Sequence, residues 1–253
     1  MYNYFLHART YLIIKRKQWS EALGRTKNYS YTPFAILCAP RSGSTLLHTY
    51  LNFHSHIRSY GEVLREYFES NNLERDSANL VERLVFKPHS TNCKAVGLKI
   101  FYEYYEQHSY YATCFQEVLI RKDVKIIHLI RKDILKLYVS LKIAEKTNVW
   151  STGKSSVYNN ADQITIDPAD YLKFRKEYLQ HQQLFTGLFQ DHAVLEISYE
   201  ELAQHPDVIL KSVQQFLGVK PQQLKTLLKK QNQDNVKTHV TNYDDVQRLS
   251  MLN

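Results

Sequence analysis

One stretch near the start of the chain joins an apolar run to a short polar loop and then to a helical pattern. Residues 34–38 (FAILC) are apolar throughout, which is typical of a strand buried on both faces. The loop 39–43 ends this run, and the apolar spacing of a helix follows from Ser44. Backbone N–H groups at a helix start are unpaired, and the helix dipole favours negative charge there. This order of elements therefore predicts a binding site for an anion such as phosphate.

The residue types of the loop fit an anion site. Gly43 allows close approach of the backbone, Ser44 or Thr45 can cap the helix, and Arg41 supplies a fixed positive fork. A Walker loop would carry Lys directly after its second glycine, whereas Gly43 is followed by Ser. An ordinary strand-to-helix turn without a ligand is the alternative. The predicted ligand contacts are Pro40, Arg41, Ser42, Gly43, Ser44, Thr45 and Leu46.

A second strand-to-helix junction lies about ninety residues further along the chain. The apolar run 124–130 predicts a strand, and Arg131 stands at its carboxyl tip, where open α/β sheets bind their ligands. Asp133 can cap the following helix, and Ser140 lies about two turns into it. Either Arg131 or its neighbour Lys132 could hold one phosphate together with Ser140. Surface ion pairs of the two basic residues are the alternative, because such pairs are common and weak.

Strands and helices alternate along the chain, which predicts an α/β fold with a mostly parallel central sheet flanked by helices. A length of 253 residues suits a single domain. A helix over about 1–30 and a polar tail over about 237–253 are expected as appendages. We expect strands over 34–38, 95–100, 124–130 and 193–197, and helices over 44–53, 63–70, 78–86, 133–146, 168–189, 199–217 and 221–230.

Composition narrows the partners without naming one. The formal net charge of +8 suits an anionic ligand, and nucleic acid would fit it too. Three scattered cysteines predict neither a disulfide framework nor a zinc site, and the sequence contains no cluster of metal ligands. The apolar run beside the basic residues 15–17 is too short for a signal peptide or a membrane span, so we expect a cytoplasmic protein. A helix on a membrane surface is the alternative for that segment.

The two junctions together resemble those of a known family. PRSGSTLL (40–47) and LIRKDILKLYVSLKIAEKTNVW (129–150) are similar to the two phosphate-binding motifs of the PAPS-dependent sulfotransferases. The branch they resemble is bacterial and includes nodulation-factor and trehalose sulfotransferases. Weaker similarity continues to about residue 219. The resemblance implies a P-loop-like sulfotransferase fold, PAPS as the donor, PAP as the product and no metal.

Roles for individual residues also come from this resemblance. In the family the first loop binds the 5′-phosphosulfate, which implies that role for Arg41. An Arg–Ser pair binds the 3′-phosphate, which implies that role for Arg131 and Ser140, with Lys132 as the alternative to Arg131. The implied acceptor is a hydroxyl of a small metabolite or carbohydrate. Homodimers occur in the branch, and neither nucleic acid nor stable membrane insertion is expected.

The acceptor hydroxyl needs a general base, and Glu62 is the first candidate. The resembling branch has a catalytic carboxylate here, and burial can raise the pKa of a Glu toward the working pH. His56 and its neighbour His54 are rivals, because an unperturbed imidazole titrates near neutrality. Lys99 could contact the sulfuryl group or a phosphate, or it could extend along the surface as a snorkelling lysine.

Two other classes of function stay open on the sequence. A P-loop-type nucleotide kinase or hydrolase would need Lys after Gly43 and an acidic strand end for Mg²⁺, whereas the strand ends carry Lys99 and Arg131. A basic nucleic-acid-binding protein would cluster basic and aromatic residues on one face. The basic residues here are instead spread along the chain.

Overall fold

A computed structural model of the chain has a central parallel sheet flanked by helices, and it describes residues 27–70, 78–106, 110–147, 163–226, 228 and 236–251. The strands are β1 Lys27–Asn28, β2 Thr32–Cys38, β3 Ile57–Ser59, β4 His89–Ser90, β5 Ala95–Phe101, β6 Lys125–Ile130 and β7 Val194–Ser198. The helices are α1 Ser44–Phe53, α2 Val63–Ser70, α3 Leu80–Leu84, α4 Glu103–Glu106, α5 Tyr110–Ile120, α6 Ile134–Thr147, α7 Pro168–Leu188, α8 Tyr199–Gln204, α9 Pro206–Phe216 and α10 Tyr243–Met251, with a 3₁₀ turn at Val236–His239.

The main sheet has the strand order β3-β5-β2-β6-β7, and all neighbouring strands run parallel. β2 is central, and later strands are added on both of its sides. The register pairs Cys38 with Phe101 on one side and with Leu129 on the other. The carboxyl ends of β2, β5 and β6 therefore meet at one edge, which is where open α/β sheets bind ligands. The predicted α/β fold class is confirmed.

The central strands are buried as the sequence predicts. Residues 34–38 of β2 are at most 1% exposed, so the apolar run is a strand covered on both faces. In the neighbouring β5, Lys99 is the charged exception and is only 3% exposed. A charged group in such surroundings requires polar partners, because desolvating an unpaired ammonium is very unfavourable. The partners of Lys99 turn out to belong to the candidate site.

Two helix predictions near the C-terminus are wrong in ways that the structure explains. The single helix expected over 199–217 is divided into α8 and α9 at Pro206, because proline lacks the N–H and crowds the preceding turn. Residues 221–226 of the helix expected over 221–230 are not helical. There the buried Gln214 side chain accepts from the N–H of Gln222 (2.7 Å) and donates to its carbonyl (3.2 Å), which fixes an extended path.

The expected appendages also differ from the structure. Residues 1–26 of the predicted N-terminal helix lie outside the described residues, and Lys27–Asn28 form strand β1 rather than a helix. The segment 237–251 is no polar tail, because Val246 is fully buried and Val240 is 4% exposed. Both valines join α6 and α7 in a second, smaller core. Within the described ranges, no helix has the length and apolar character needed to span a membrane.

Gly97→Ala is expected to lower the free energy of unfolding by about 3 kcal/mol, because the added Cβ overpacks the sheet. That Cβ would lie 2.3 Å from the carbonyl oxygen of Phe34 and 2.5 Å from its ring. The matched control is Gly187→Ala in α7, where an added Cβ meets nothing within 4 Å. This substitution should raise the free energy of unfolding by about 0.5–1 kcal/mol, because alanine favours a helix more than glycine does. Chemical denaturation of both variants tests this, and equal effects of the two substitutions would contradict it.

Candidate active site

The loop of residues 39–43 turns sharply between β2 and α1. Arg41 has φ of 63° and Gly43 has φ of 91°, and this left-handed region favours glycine. Gly43 is itself the N-cap of α1, and no side chain caps the helix. The expectation that Ser44 or Thr45 provides the cap is therefore wrong. Since no side chain caps this ten-residue helix, the N–H groups of its first turn suit an anionic ligand.

The two anion sites predicted from separate parts of the sequence meet directly. Arg41 Nε donates a hydrogen bond to Ser140 Oγ over 3.0 Å. Arg131 Nη1 donates to the carbonyl oxygen of Arg41, also over 3.0 Å. Two guanidinium groups and one hydroxyl thus form a single cluster at the carboxyl edge between β2 and β6. Such a cluster can bind a ligand that carries more than one anionic group.

Buried polar atoms of this cluster lack an ordinary hydrogen-bond partner among the described residues. Arg131 Nε has none, and Ser42 Oγ has only the weakly bonding thiol of Cys38 beside it. Buried polar groups are nearly always hydrogen-bonded, so each exception calls for an explanation such as a ligand. Burial also lowers the pKa of Arg131, although a guanidinium keeps its proton in proteins. An anion beside Arg131 would supply the missing acceptor and offset the buried charge.

The neighbouring Lys132 points away from this cluster. Its side chain is 57% exposed, and its Nζ lies 2.9 Å from Glu201 Oε1. Hydrogen bonds from Lys132 and Ser198 lower the pKa of Glu201 to about 2. The surface ion pair that the sequence left open for both basic residues is therefore made by Lys132, while Arg131 faces the loop. The cluster that Arg41, Arg131 and Ser140 form therefore does not include Lys132.

The segment around Arg131 is held in place from both sides. Asp133 caps α6 as predicted, since its Oδ1 accepts from the N–H of Lys136 at 2.9 Å. The Glu200 carboxylate accepts from the N–H groups of Lys132 (3.1 Å) and Asp133 (3.2 Å). Sequence reasoning did not assign Glu200 to the site. The available signal was the Ser198–Glu201 capping box, which starts a helix where β7 ends and therefore at the same edge of the sheet.

Glu62 and Lys99 form an ion pair next to the loop. Lys99 Nζ lies 2.7 Å from Glu62 Oε1 and donates to Thr45 Oγ1 over 3.3 Å. Glu62 is 27% exposed, and Arg65 approaches its second oxygen at 3.6 Å. The alternative of a snorkelling surface lysine is wrong, because Lys99 is buried within β5. The lysine instead connects a carboxylate to the first turn of α1.

His56, the rival candidate for the general base, lies at the opposite edge of the sheet from the loop. Its carbonyl oxygen accepts from Lys94 and Ala95 at the amino end of β5, and its Nδ1 contacts the Asn92 carbonyl at 2.7 Å. The seven residues of β5 separate this point from the carboxyl edge by roughly 20 Å. The reason is topological: α1 starts at the carboxyl edge and runs about 15 Å back across the sheet, so residues directly after it reach the far edge.

His48, another histidine, was missed and lies close to Glu62. Its Nδ1 is 2.8 Å from Ser59 Oγ, and its ring packs against Gly61, where an added Cβ would lie 3.0 Å from Cε1. Asn52 holds the same segment by exchanging two hydrogen bonds with the backbone of Ser59 (2.8 and 3.0 Å). The inner face of α1 therefore fixes the chain that leads into Glu62. The i, i+4 spacing of His48 and Asn52 on a helix was the only sequence signal that these two side chains act together.

The chain is similar to known proteins over most of its length. A model of the sulfotransferase domain family matches residues 32–248. Nodulation protein H of Rhizobium meliloti (strain 1021) is 28% identical over 199 residues, which cover 76% of this chain and 79% of that protein. Two solved structures are similar at 18% identity: a sulfotransferase domain from the curacin biosynthetic pathway (TM-score 0.45, 76% of each chain) and mouse sulfotransferase SULT7A1 complexed with PAP (TM-score 0.43, 76% of this chain and 60% of that one).

The family match spans both strand-to-helix junctions and all five strands of the main sheet. The chain belongs to the sulfotransferase family. The resemblance stated from its two motifs is confirmed, and the protein is an enzyme that transfers a sulfuryl group.

Proposed function

We propose that this sulfotransferase takes its sulfuryl group from PAPS, releases PAP and sulfates a hydroxyl of a small metabolite or carbohydrate. The contact of Arg41 with both Ser140 and Arg131 carries the proposal. A donor with anionic groups at its 5′ and 3′ ends requires two adjoining anion sites, and this cluster offers them. The resemblance of both motifs to PAPS-dependent enzymes supports the same donor.

The first loop would hold the 5′ end of the donor. When bound, PAPS supplies an activated sulfuryl group attached to its 5′-phosphate. Arg41 and the N–H groups at the start of α1 would stabilise the negative charge that develops on the leaving phosphate and the sulfuryl oxygens. We assign the contacts with this end to Pro40, Arg41, Ser42, Gly43, Ser44, Thr45 and Leu46.

The second junction would hold the 3′-phosphate. Arg131 Nε, a buried donor with no partner among the described residues, would donate to a phosphate oxygen. Ser140 would donate its hydroxyl to the same phosphate. Its hydrogen bond with Arg41 would also fix the position of Arg41 relative to Arg131. Lys132 takes no part in this assignment, because it forms an exposed pair with Glu201.

Glu62 would accept the proton of the attacking acceptor hydroxyl. Its carboxylate adjoins the loop because Lys99 Nζ lies between Glu62 Oε1 and Thr45 Oγ1. From that position the ammonium can contact the base and the sulfuryl end of the donor together. Lys99 would thereby help to neutralise the charge that develops during transfer.

The other two function classes have less support. A P-loop kinase or hydrolase would place an acidic side chain for Mg²⁺ at a strand end, where this chain has the buried cation Lys99 and the half-buried cation Arg131. A nucleic-acid-binding protein would use exposed basic side chains rather than buried ones for phosphate contacts. The single domain, the cytoplasmic location and a homodimer stay predictions from the sequence.

A panel of ligands tests the donor assignment. PAP at about one hundred times its Kd is expected to stabilise the protein by about 2.7 kcal/mol, which raises Tm by roughly 5–10 °C, because it binds the native state alone. ATP with Mg²⁺ and a single-stranded oligonucleotide should give much smaller shifts. A larger shift with either of them would favour the kinase or the nucleic-acid function instead.

Arg41→Ala and Ser140→Ala extend the same test to calorimetry. Arg41→Ala is expected to weaken PAP binding more than tenfold, because it removes a charge-assisted contact worth about 1.5–3 kcal/mol. Ser140→Ala removes a neutral hydrogen bond and should weaken binding about three- to tenfold. Ser212→Ala is the matched control, since this exposed serine in α9 bonds only locally to the Val208 carbonyl in the described contacts. Unchanged affinity in both site variants would refute the assignment.

A further inference from the structure

The hydroxyl group of Tyr104 is buried and has no hydrogen-bond partner among the described residues. The residue as a whole is only 5% exposed. A buried hydroxyl without a partner has lost its contacts with water and gained nothing in return, so such groups in proteins are nearly always paired. The same reasoning assigns Arg131 Nε to a phosphate of the donor. Tyr104 therefore indicates a second place where an oxygen of a ligand can bind.

The fold brings Tyr104 to the edge of the sheet where the candidate active site lies. It belongs to α4, which begins two residues after β5 ends at Phe101. The centres of the Phe101 and Tyr104 rings are 5.5 Å apart, and the Lys99 ammonium lies 5.7 Å from the centre of the Phe101 ring. Phe101 thus connects Tyr104 to the ion pair of Lys99 with Glu62.

Two further rings fix the position of the Tyr104 side chain. Tyr111 of α5 stacks on it with ring centres 4.5 Å apart. Phe68 of α2 contacts the Tyr111 ring edge-on at 4.8 Å, and α2 is the helix that directly follows Glu62. A ring packed in this way gives its hydroxyl a set position, which selective recognition of one substrate atom requires.

The hydroxyl of Tyr104 stays protonated at this place. Burial raises the pKa of Tyr104, and the negative charge of Glu62 raises it further. The group is therefore a neutral hydrogen-bond donor. An uncharged oxygen suits it better than an anionic one, because the Glu62 carboxylate would repel an anion beside it.

We propose that the Tyr104 hydroxyl binds an oxygen of the acceptor other than the one that is sulfated. The reacting hydroxyl must give its proton to Glu62, and Tyr104 makes no hydrogen bond with Glu62 in the described structure. The substrate class is then a neutral polyol such as a sugar, which carries another oxygen near the reacting hydroxyl, rather than a simple alcohol or a phenol. This inference rests on the proposed function, because it takes Glu62 as the base.

The test measures transfer of labelled sulfate from PAPS to methyl glycosides, to their monodeoxy analogues, and to cyclohexanol and phenol. In the natural enzyme, loss of one hydroxyl other than the sulfated one should lower kcat/KM about three- to tenfold, the range for one neutral hydrogen bond. Tyr104→Phe should cause the same loss with the parent glycoside, mainly through KM. With that deoxy analogue the variant should lose less than twofold, because the contact is already absent.

Two controls separate a substrate contact from a structural role. Tyr104→Phe should leave the Kd for PAP within twofold and Tm unchanged or higher, because the deleted hydroxyl has no partner within the described residues. A lower Tm would reveal an internal partner and overturn the proposal. Tyr105→Phe is the matched variant in the same helix, since its ring packs against Phe115 and Phe185 instead. An equal loss of kcat/KM in Tyr105→Phe would contradict the specific role of Tyr104.

The remaining outcomes show which inference fails. If Tyr104→Phe loses as much with every deoxy analogue as with the parent glycoside, Tyr104 contacts none of the deleted oxygens and the proposal is wrong. Sulfation of cyclohexanol or phenol but of no glycoside would also overturn it. If PAP binds and no compound of the panel is sulfated, the substrate class is wrong while the donor assignment stands. If the natural enzyme does not bind PAP, the proposed donor itself fails.

Discussion

Arg131→Ala is expected to weaken PAP binding about a hundredfold or more in calorimetric titration. The guanidinium has a buried Nε without a partner in the described part of the chain, and its Nη1 binds the Arg41 carbonyl. Hydrogen bonds to charged groups contribute about 1.5–3 kcal/mol each, and a guanidinium can make two of them to one phosphate. Arg131→Lys should recover part of the affinity, because it keeps the charge and loses the fork.

Lys132→Ala is the matched control for this prediction. It removes a neighbouring positive charge, but the lysine is exposed and paired with Glu201, so PAP affinity should change less than threefold. Equal losses in the two alanine variants would mean that net charge, rather than the Arg131 geometry, attracts the ligand. A larger loss in Lys132→Ala would reverse the assignment of the 3′-phosphate site.

Glu62→Gln is expected to lower kcat by a factor of about 10²–10⁴, because general base catalysis contributes a rate enhancement of this size. The Kd for PAP should stay within about threefold of its original value. Glutamine keeps the size of the side chain and cannot take up the proton. The measurement is transfer of labelled sulfate from PAPS to a panel of mono- and disaccharides. Thermal unfolding should accompany it, because the substitution also leaves the buried Lys99 without its carboxylate partner.

Glu69→Gln is the control with the same change of charge. Glu69 lies on α2, is 62% exposed and, like Glu62, pairs with Arg65. It should retain nearly full activity. Full activity in Glu62→Gln would mean that Glu62 is not the general base, and Glu103 would be the next candidate for that role. Its side chain is largely exposed, yet its carboxyl is desolvated enough to raise its pKa to about 7.

The elements that carry the site were predictable within a residue or two. β2 and β6 are continuous apolar runs, α1 and α2 have apolar residues at helical spacing, and turn residues mark the ends of these elements. Weaker signals failed where side chains far along the chain decide the backbone path. Residues 221–226 have helical composition, but the buried Gln214 binds the backbone of Gln222 and holds it extended.

The choice among candidate site residues could not be predicted in the same way. Arg131 and Lys132 are adjacent and chemically alike, and only the turn after β6 directs one inward and the other toward Glu201. His56 and Glu62 are six positions apart in the sequence. Strand β3 runs between them, so they lie in opposite regions of the sheet. The spacing of residues along the sequence cannot show at which edge of the sheet they lie, because a polar loop can occupy either edge.

The sequence by itself determined two strand-to-helix junctions, each with an arginine suited to an anion, and through their motifs the sulfotransferase family. Only the tertiary structure decided that these junctions adjoin and that Lys99 joins Glu62 to the loop. The physical reason is the strand order. β2 and β6 are far apart in the chain and become neighbours only in the assembled sheet, so contacts between their ends depend on the packing of the whole domain.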